Sequence, residues 1–232
     1  MSESTGLAGL LSASQSVLAL AGFRPQRLPS DYVSRRHALP SGEVAIDTWI
    51  HADGCGNEAR LALICSPKIE IVTTFLYPIA GRSAPLYAME LVRLGPKPVV
   101  AVMDCAAPAD DPSLMEAQAL LAAVRREAPG LVQADDPPDW FVEARSGADL
   151  FFRPKDVAAL HRAGLLHLSL WTTLLLRLAA APAREVDAAL AFASFARHYK
   201  DHHRMHSPGI PLLTKCFGGD WTAGYLADCF FR

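Results

Sequence analysis

RLALICSPKIEIVTTFLYPIAGRSAPLYAMELVRLGPKPVVAVMD, residues 60–104, decides the fold. Four runs rich in apolar and β-branched residues stand in succession: 60–65, 69–77, 85–94 and 98–104. Ser66-Pro67-Lys68 separates the first two and Gly95-Pro96-Lys97 the last two. Connections that short join neighbouring strands as hairpins, whereas a parallel βαβ unit needs a helix between strands. The stretch therefore reads as an antiparallel meander, and residues 43–51 read as a further strand ahead of it. Outward from this centre the N-terminus opens on a helix over about residues 7–21, and a proline-containing loop runs through Pro40. The C-terminal half reads as helix over residues 113–127, 156–180 and 183–206. A short helix over 210–217 is ended by Gly218-Gly219, and a last one covers 220–231 with Asp220 as N-cap. Strands first and helices later make an α+β chain, with helices packed on the faces of one antiparallel sheet. With no repeat and no low-complexity linker, residues 1–232 read as one domain.

Composition narrows the function. The chain has 232 residues, half of them hydrophobic, and a formal net charge of −2. That is enough to bury a sizeable core, and it offers no basic excess for nucleic acid. Five cysteines, Cys55, Cys65, Cys105, Cys216 and Cys229, stand at scattered spacings with no CxxC. A disulfide framework and a cysteine-ligated metal or iron–sulfur centre are both unsupported. Redox chemistry would then need electrons from outside or from a cofactor. The N-terminus carries no basic residue ahead of its apolar stretch, which disfavours a signal peptide. Residues 163–181 are long and apolar enough to span a bilayer, yet they hold His167 and Arg177 and end at Pro182. They read as a buried core helix, with no membrane partner, and the expected location is cytoplasmic. Serine-nucleophile motifs, P-loops and GxGxxG are absent.

Glu90 is the most informative residue. Alternate residues of a strand share a face, so Glu90 lies with Leu86, Ala88, Val92 and Leu94, all apolar. Burial there would raise its pKa and keep a proton on it near neutral pH, which is what a proton donor needs. The alternatives are a solvent-facing side or pairing with an arginine. His198, His202 and His206 step by four along one helix face, beside His203. This is either a metal-binding face or a solvated helix end, and Lys200, Arg204 and the lack of HExxH favour the latter; one of the four lining a pocket is a separate alternative. Arg153, at the end of Leu150-Phe151-Phe152, is placed either to clamp a carboxylate or to form an edge salt bridge. Phe192, Phe195 and Tyr199, at helical spacing, read as core.

Three collinear stretches resemble the ferredoxin-dependent bilin reductase family. They are FLYPIAGRSAPLYAMELV (75–92) continuing into PVVAVMDCAAP (98–108), DLFFRP (149–154), and LLTKCFGGDWTAGYLADCFF (212–231). The resemblance spans roughly residues 43–231. It implies a three-layer α/β/α sandwich with a central antiparallel sheet and mainly C-terminal helices, the pigment lying between the sheet and those helices. It implies no bound metal or flavin: reduced ferredoxin supplies single electrons and the protein supplies protons to a linear tetrapyrrole, most simply biliverdin. The family's catalytic aspartate falls on Glu90, its strand histidine on Thr73, and a further acidic position near Ala62. The polar pair before the last helices falls on His206-Ser207, followed by Pro208 in place of a basic residue. On this resemblance Glu90 donates a proton from the sheet side, with His206 or Asp201 donating from the helix side. Thr73 orients a lactam, Ser207 lines the site, and Arg153 and Arg60 hold propionates. A pocket glutamate is also similar to red chlorophyll catabolite reductase, a relative acting on another open-chain tetrapyrrole. A non-catalytic tetrapyrrole carrier of the same fold is the other reading, supported by Thr73 and Ala62.

Overall fold

The computed structural model describes residues 7–40, 42–128, 130–147 and 149–232. Its centre is an antiparallel sheet of eight strands. In chain order these are β1 (Arg24–Pro25), β2 (Ser34–Leu39), β3 (Gly42–Ala52), β4 (Glu58–Cys65), β5 (Ile69–Tyr77), β6 (Leu86–Leu94), β7 (Lys97–Ala106) and β8 (Leu150–Phe152). Strands β3 to β7 follow one another as the meander the short turns predict, and β8 pairs with β7 at one edge. At the other edge β1 and β2 both pair with β3, side by side along its length.

Strand β2 lies within what the sequence reads as loop. Its sequence SRRHAL alternates exposed with half-buried residues and carries no apolar stripe, so it gives no strand signal of its own. Arg36 and Ser34 both reach Asp47 across the edge and keep it charged, as exposed sheet edges usually are.

Helices cover both faces. On one face lie α1 (Leu7–Leu20), α3 (Pro112–Arg126) and α5 (Val157–Ala180). They pack with Leu61, Val72, Tyr87, Met89, Leu91 and Met103 of the sheet into one apolar core. Leu7, Leu11, Ser14 and Leu18 recur at helical spacing and form the buried side of α1. Gly164 lets α1 come close: a Cβ there would sit 3.2 Å from Leu10. Helix α5 is the one described helix long and apolar enough to cross a membrane, and its buried side, including Leu170, Trp171, Leu174 and Leu178, rests on this core.

The other face is covered by α6 (Val186–His206), α7 (Ile210–Phe217), α8 (Gly219–Gly224) and a π-helical turn (Tyr225–Phe230). These bury Phe192, Tyr199, Leu213, Tyr225 and Phe230 against Ile46, Ile64, Phe75 and Ala88. The arrangement is a three-layer α+β sandwich whose helices are mainly C-terminal. Two short helices, α2 (Ser30–Val33) and α4 (Asp139–Ala144), lie in loops and are too short to leave a periodic signal.

Three helix boundaries differ from the sequence reading, each for a local reason. Helix α6 begins at Val186 and not at 183, because Ala183 bridges to Arg82 and Arg184 is drawn inward to Asp111 at 2.7 Å. Gly218, at φ +90°, ends α7 as expected, but it is also the N-cap of α8, so Asp220 lies inside the first turn and caps nothing. The last helix widens into the π turn, where the Arg60 guanidinium takes the carbonyls of Cys229 and Phe230 at 3.0 and 2.9 Å.

Candidate active site

A cavity of about 320 Å³ lies between the sheet and the C-terminal helices, within the usual size range of small-molecule sites. Its floor is one cross-strand row. Register pairs Ala62 of β4 with Thr73 of β5, Thr73 with Glu90 of β6, Glu90 with Val102 of β7, and Val102 with Phe151 of β8. Residues directly opposite in an antiparallel pair project to the same face, so the five side chains point together into the cavity that they line. The roof comes from Leu212, Leu213, Tyr225, Phe230, Phe231 and His203. Toward the mouth stand half-exposed Ile71, Val99, Trp140 and Ser207, with exposed Pro208.

Glu90 is the one carboxylate on this wall among the described residues. Loss of hydration among apolar neighbours pushes its pKa up to about 7, against a smaller opposing pull from the Thr73 hydroxyl, which donates to Oε2 at 3.4 Å. Near neutral pH the acid is thus partly protonated, inside an apolar chamber, with no arginine or lysine lining it among the described residues. The two alternatives to burial, exposure and an arginine partner, are both answered by the geometry. A second carboxyl, Asp104, is also buried and raised to about 6, but Ser146 donates to it through its backbone N–H and its hydroxyl, and it does not line the cavity.

Several predicted site residues lie elsewhere. Arg60 does not face a ligand. It is fully buried under the C-terminus, where it holds the two carbonyls named above, pairs with Glu58 and stacks over Tyr77 at 5.0 Å. Its place on β4 beside Phe75 of β5 sets it beneath the π turn, away from the cavity row. Arg153 is half-exposed and turns its fork outward to Asp136 at 3.0 Å, behind Phe151. Asp201 pairs with Arg204 at 2.7 Å on the surface. His206 is exposed and packs on His202, the ring centres 4.7 Å apart. Thr73 and Ser207 do line the cavity. Among the described residues no three His, Cys, Asp or Glu side chains converge as metal ligands. His202 instead donates through Nε2 to the carbonyl of Trp140 at 2.7 Å.

The histidine that reaches the cavity is His203, one of the four clustered histidines but not one to which the resemblance gives a role. A helix turns by 100° per residue, so the side of α6 that carries Phe192 and Tyr199 continues to position 203, while 198 and 202 look aside and 206 stands exposed as the last residue of the helix. Extending the aromatic stripe by four residues would have found it. Burial, with a lesser push from His202, brings its pKa down to about 3, so the ring is neutral at physiological pH.

The comparisons with known proteins agree with this geometry. A family model described as ferredoxin-dependent bilin reductase matches residues 11–232. No curated protein sequence matches the chain. Among solved structures, tomato phytochromobilin synthase in complex with biliverdin superposes with a TM-score of 0.80 at 13% identity, covering 97% of this chain and 83% of that one. At that identity the likeness speaks for the fold. With a family match across nearly the whole length, the chain belongs to the ferredoxin-dependent bilin reductase family.

Proposed function

We propose that this chain reduces a linear tetrapyrrole, biliverdin, in the cavity between the sheet and the C-terminal helices, with reduced ferredoxin as the external electron donor. The observation that carries the reading is Glu90: a raised carboxyl, alone on an apolar wall, at the centre of the cross-strand row. Family membership supports the ferredoxin dependence. The location that suits such a donor is the cytoplasm.

Ferredoxin delivers one electron at a time, so each two-electron reduction passes through a bilin radical and takes up two protons. Glu90 transfers one proton to the singly reduced bilin, becomes a carboxylate, and is reprotonated through water entering at the mouth, the route by which the second proton also arrives. Ionised Glu90 is held by the Thr73 hydroxyl. Apolar walls suit the flat pyrrole rings. Because no Lys or Arg lines the cavity among the described residues, biliverdin's two propionates point outward to the mouth, where water keeps them solvated.

The test is a ferredoxin-coupled assay on wild type and Glu90→Gln. The variant keeps size and polarity but has no carboxyl proton, and turnover should fall by about 100-fold or more while biliverdin binding persists. Wild-type turnover by the variant would remove Glu90 from the chemistry. A carrier of the same fold would bind biliverdin and leave its visible spectrum unchanged when reduced ferredoxin is added.

A further inference from the structure

The roof of the cavity holds a polar group with nothing to bind. His203 Nε2 is buried and finds no hydrogen-bond partner among the described residues. The residue is only 8% exposed, and its ring lines the cavity. The ring is not loosely placed. Tyr199 packs on it with centroids 4.4 Å apart, Phe231 stacks at 5.8 Å, and Phe75 and Trp140 meet it edge-on at 5.8 and 6.2 Å. A buried, unpaired ring nitrogen is unfavourable, and an aromatic side chain would fill the same cage without that cost. A polar atom kept at such a place needs a partner that the described residues do not supply.

We propose that His203 is the helix-side anchor of the cavity, using Nε2 to hydrogen-bond a lactam of the bound linear tetrapyrrole. This rests on the function proposed above and assigns a ligand contact to a residue outside the row that carries Glu90. A lactam presents a carbonyl and an N–H side by side, and a neutral imidazole can serve either, as donor or acceptor according to its tautomer. An anchor on α6 facing a proton donor on β6 fixes the pigment from both layers. The ring that stands over Glu90 is then set by His203 and not by shape alone.

Three substitutions separate this role from packing. Phenylalanine keeps the aromatic cage and removes the polar atom. Glutamine places its amide near the position of Nε2. Asparagine is polar but too short to reach. In absorbance titrations with biliverdin, His203→Phe and His203→Asn should each raise the Kd by about 10-fold, the equivalent of one lost hydrogen bond, and His203→Gln should stay within about 3-fold of wild type. Thermal unfolding of His203→Phe should be no lower than wild type. Equal Kd for wild type, His203→Phe and His203→Asn would overturn the anchor, and so would equal losses in His203→Asn and His203→Gln. Failure of wild type itself to bind biliverdin would instead overturn the proposed function on which the anchor rests.

Discussion

Glu90 and Thr73 face each other across β5 and β6, and their pairing sets how readily the acid gives up its proton. The Thr73 hydroxyl favours the charged form, so it holds the pKa below what burial alone would produce. Thr73→Val should therefore move the alkaline limb of the pH–rate profile to higher pH, read in steady-state assays from pH 6 to about 9. A stability effect follows from the same shift. Because the folded pKa of Glu90, about 7, exceeds the unfolded value, its contribution to stability is complete below about pH 4 and is lost as pH rises through 7. Glu90→Gln cannot ionise. It should gain on wild type by up to about 1.4 kcal/mol per pH unit between about pH 4.5 and 7, and by a constant amount above that. Urea unfolding of both proteins at several pH values measures this directly.

At the scale of elements, α1, α5 and β6 are locked together on the face away from the cavity. Ser14 of α1 donates its only hydroxyl proton to the Leu10 carbonyl at 3.0 Å, so its oxygen accepts from His167 Nε2 at 3.0 Å. His167 Nδ1 then accepts from the Tyr87 hydroxyl at 2.9 Å. The ring is neutral, its pKa lowered to about 3 by burial. Tyr87→Phe leaves Nδ1 buried without a donor and should cost about 1–3 kcal/mol in urea unfolding. For His167 and His203 the folded pKa lies below the unfolded one. Their stabilisation is present above about pH 6.5 and is lost as pH falls toward 3. Glu90 and Asp104, with raised values of about 7 and 6, run the other way and offset part of that loss in mild acid. Helix α6 shows why element phase matters more than residue type. Its four clustered histidines are conspicuous, yet only His203, in line with Phe192 and Tyr199 and set back from the helix end, meets the cavity.

At the scale of the whole molecule, the roof of the cavity depends on a residue of the sheet far away in sequence. Arg60 holds the carbonyls of Cys229 and Phe230, and Phe230 and Phe231 line the cavity. Arg60→Met fills the space but leaves those carbonyls without their donor and Glu58 with Arg232 in place of two arginines. The expected cost is about 3 kcal/mol in urea unfolding. Biliverdin affinity should fall by about 10-fold or more, because two aromatic walls loosen with the π turn. Unchanged affinity in a destabilised variant would show that the turn is held by its own packing.

The alternation of apolar runs and the short Ser66–Lys68 and Gly95–Lys97 turns were enough to specify an antiparallel meander, and the parity of β6 was enough to set Glu90 among apolar neighbours. Those signals are local, because strand period and turn length act over a few residues. What required the tertiary structure was everything that depends on register and rotation between elements. Register aligned Ala62, Thr73 and Glu90 from three strands into one row. Helix phase turned Asp201 aside, the helix end left His206 exposed, and His203 took the place facing the cavity. Packing of the C-terminus turned Arg60 from a ligand clamp into a brace, and solvent drew Arg153 outward to Asp136. A guanidinium pairs with whichever acceptor the fold brings within reach, and chain order carries no record of which one that is.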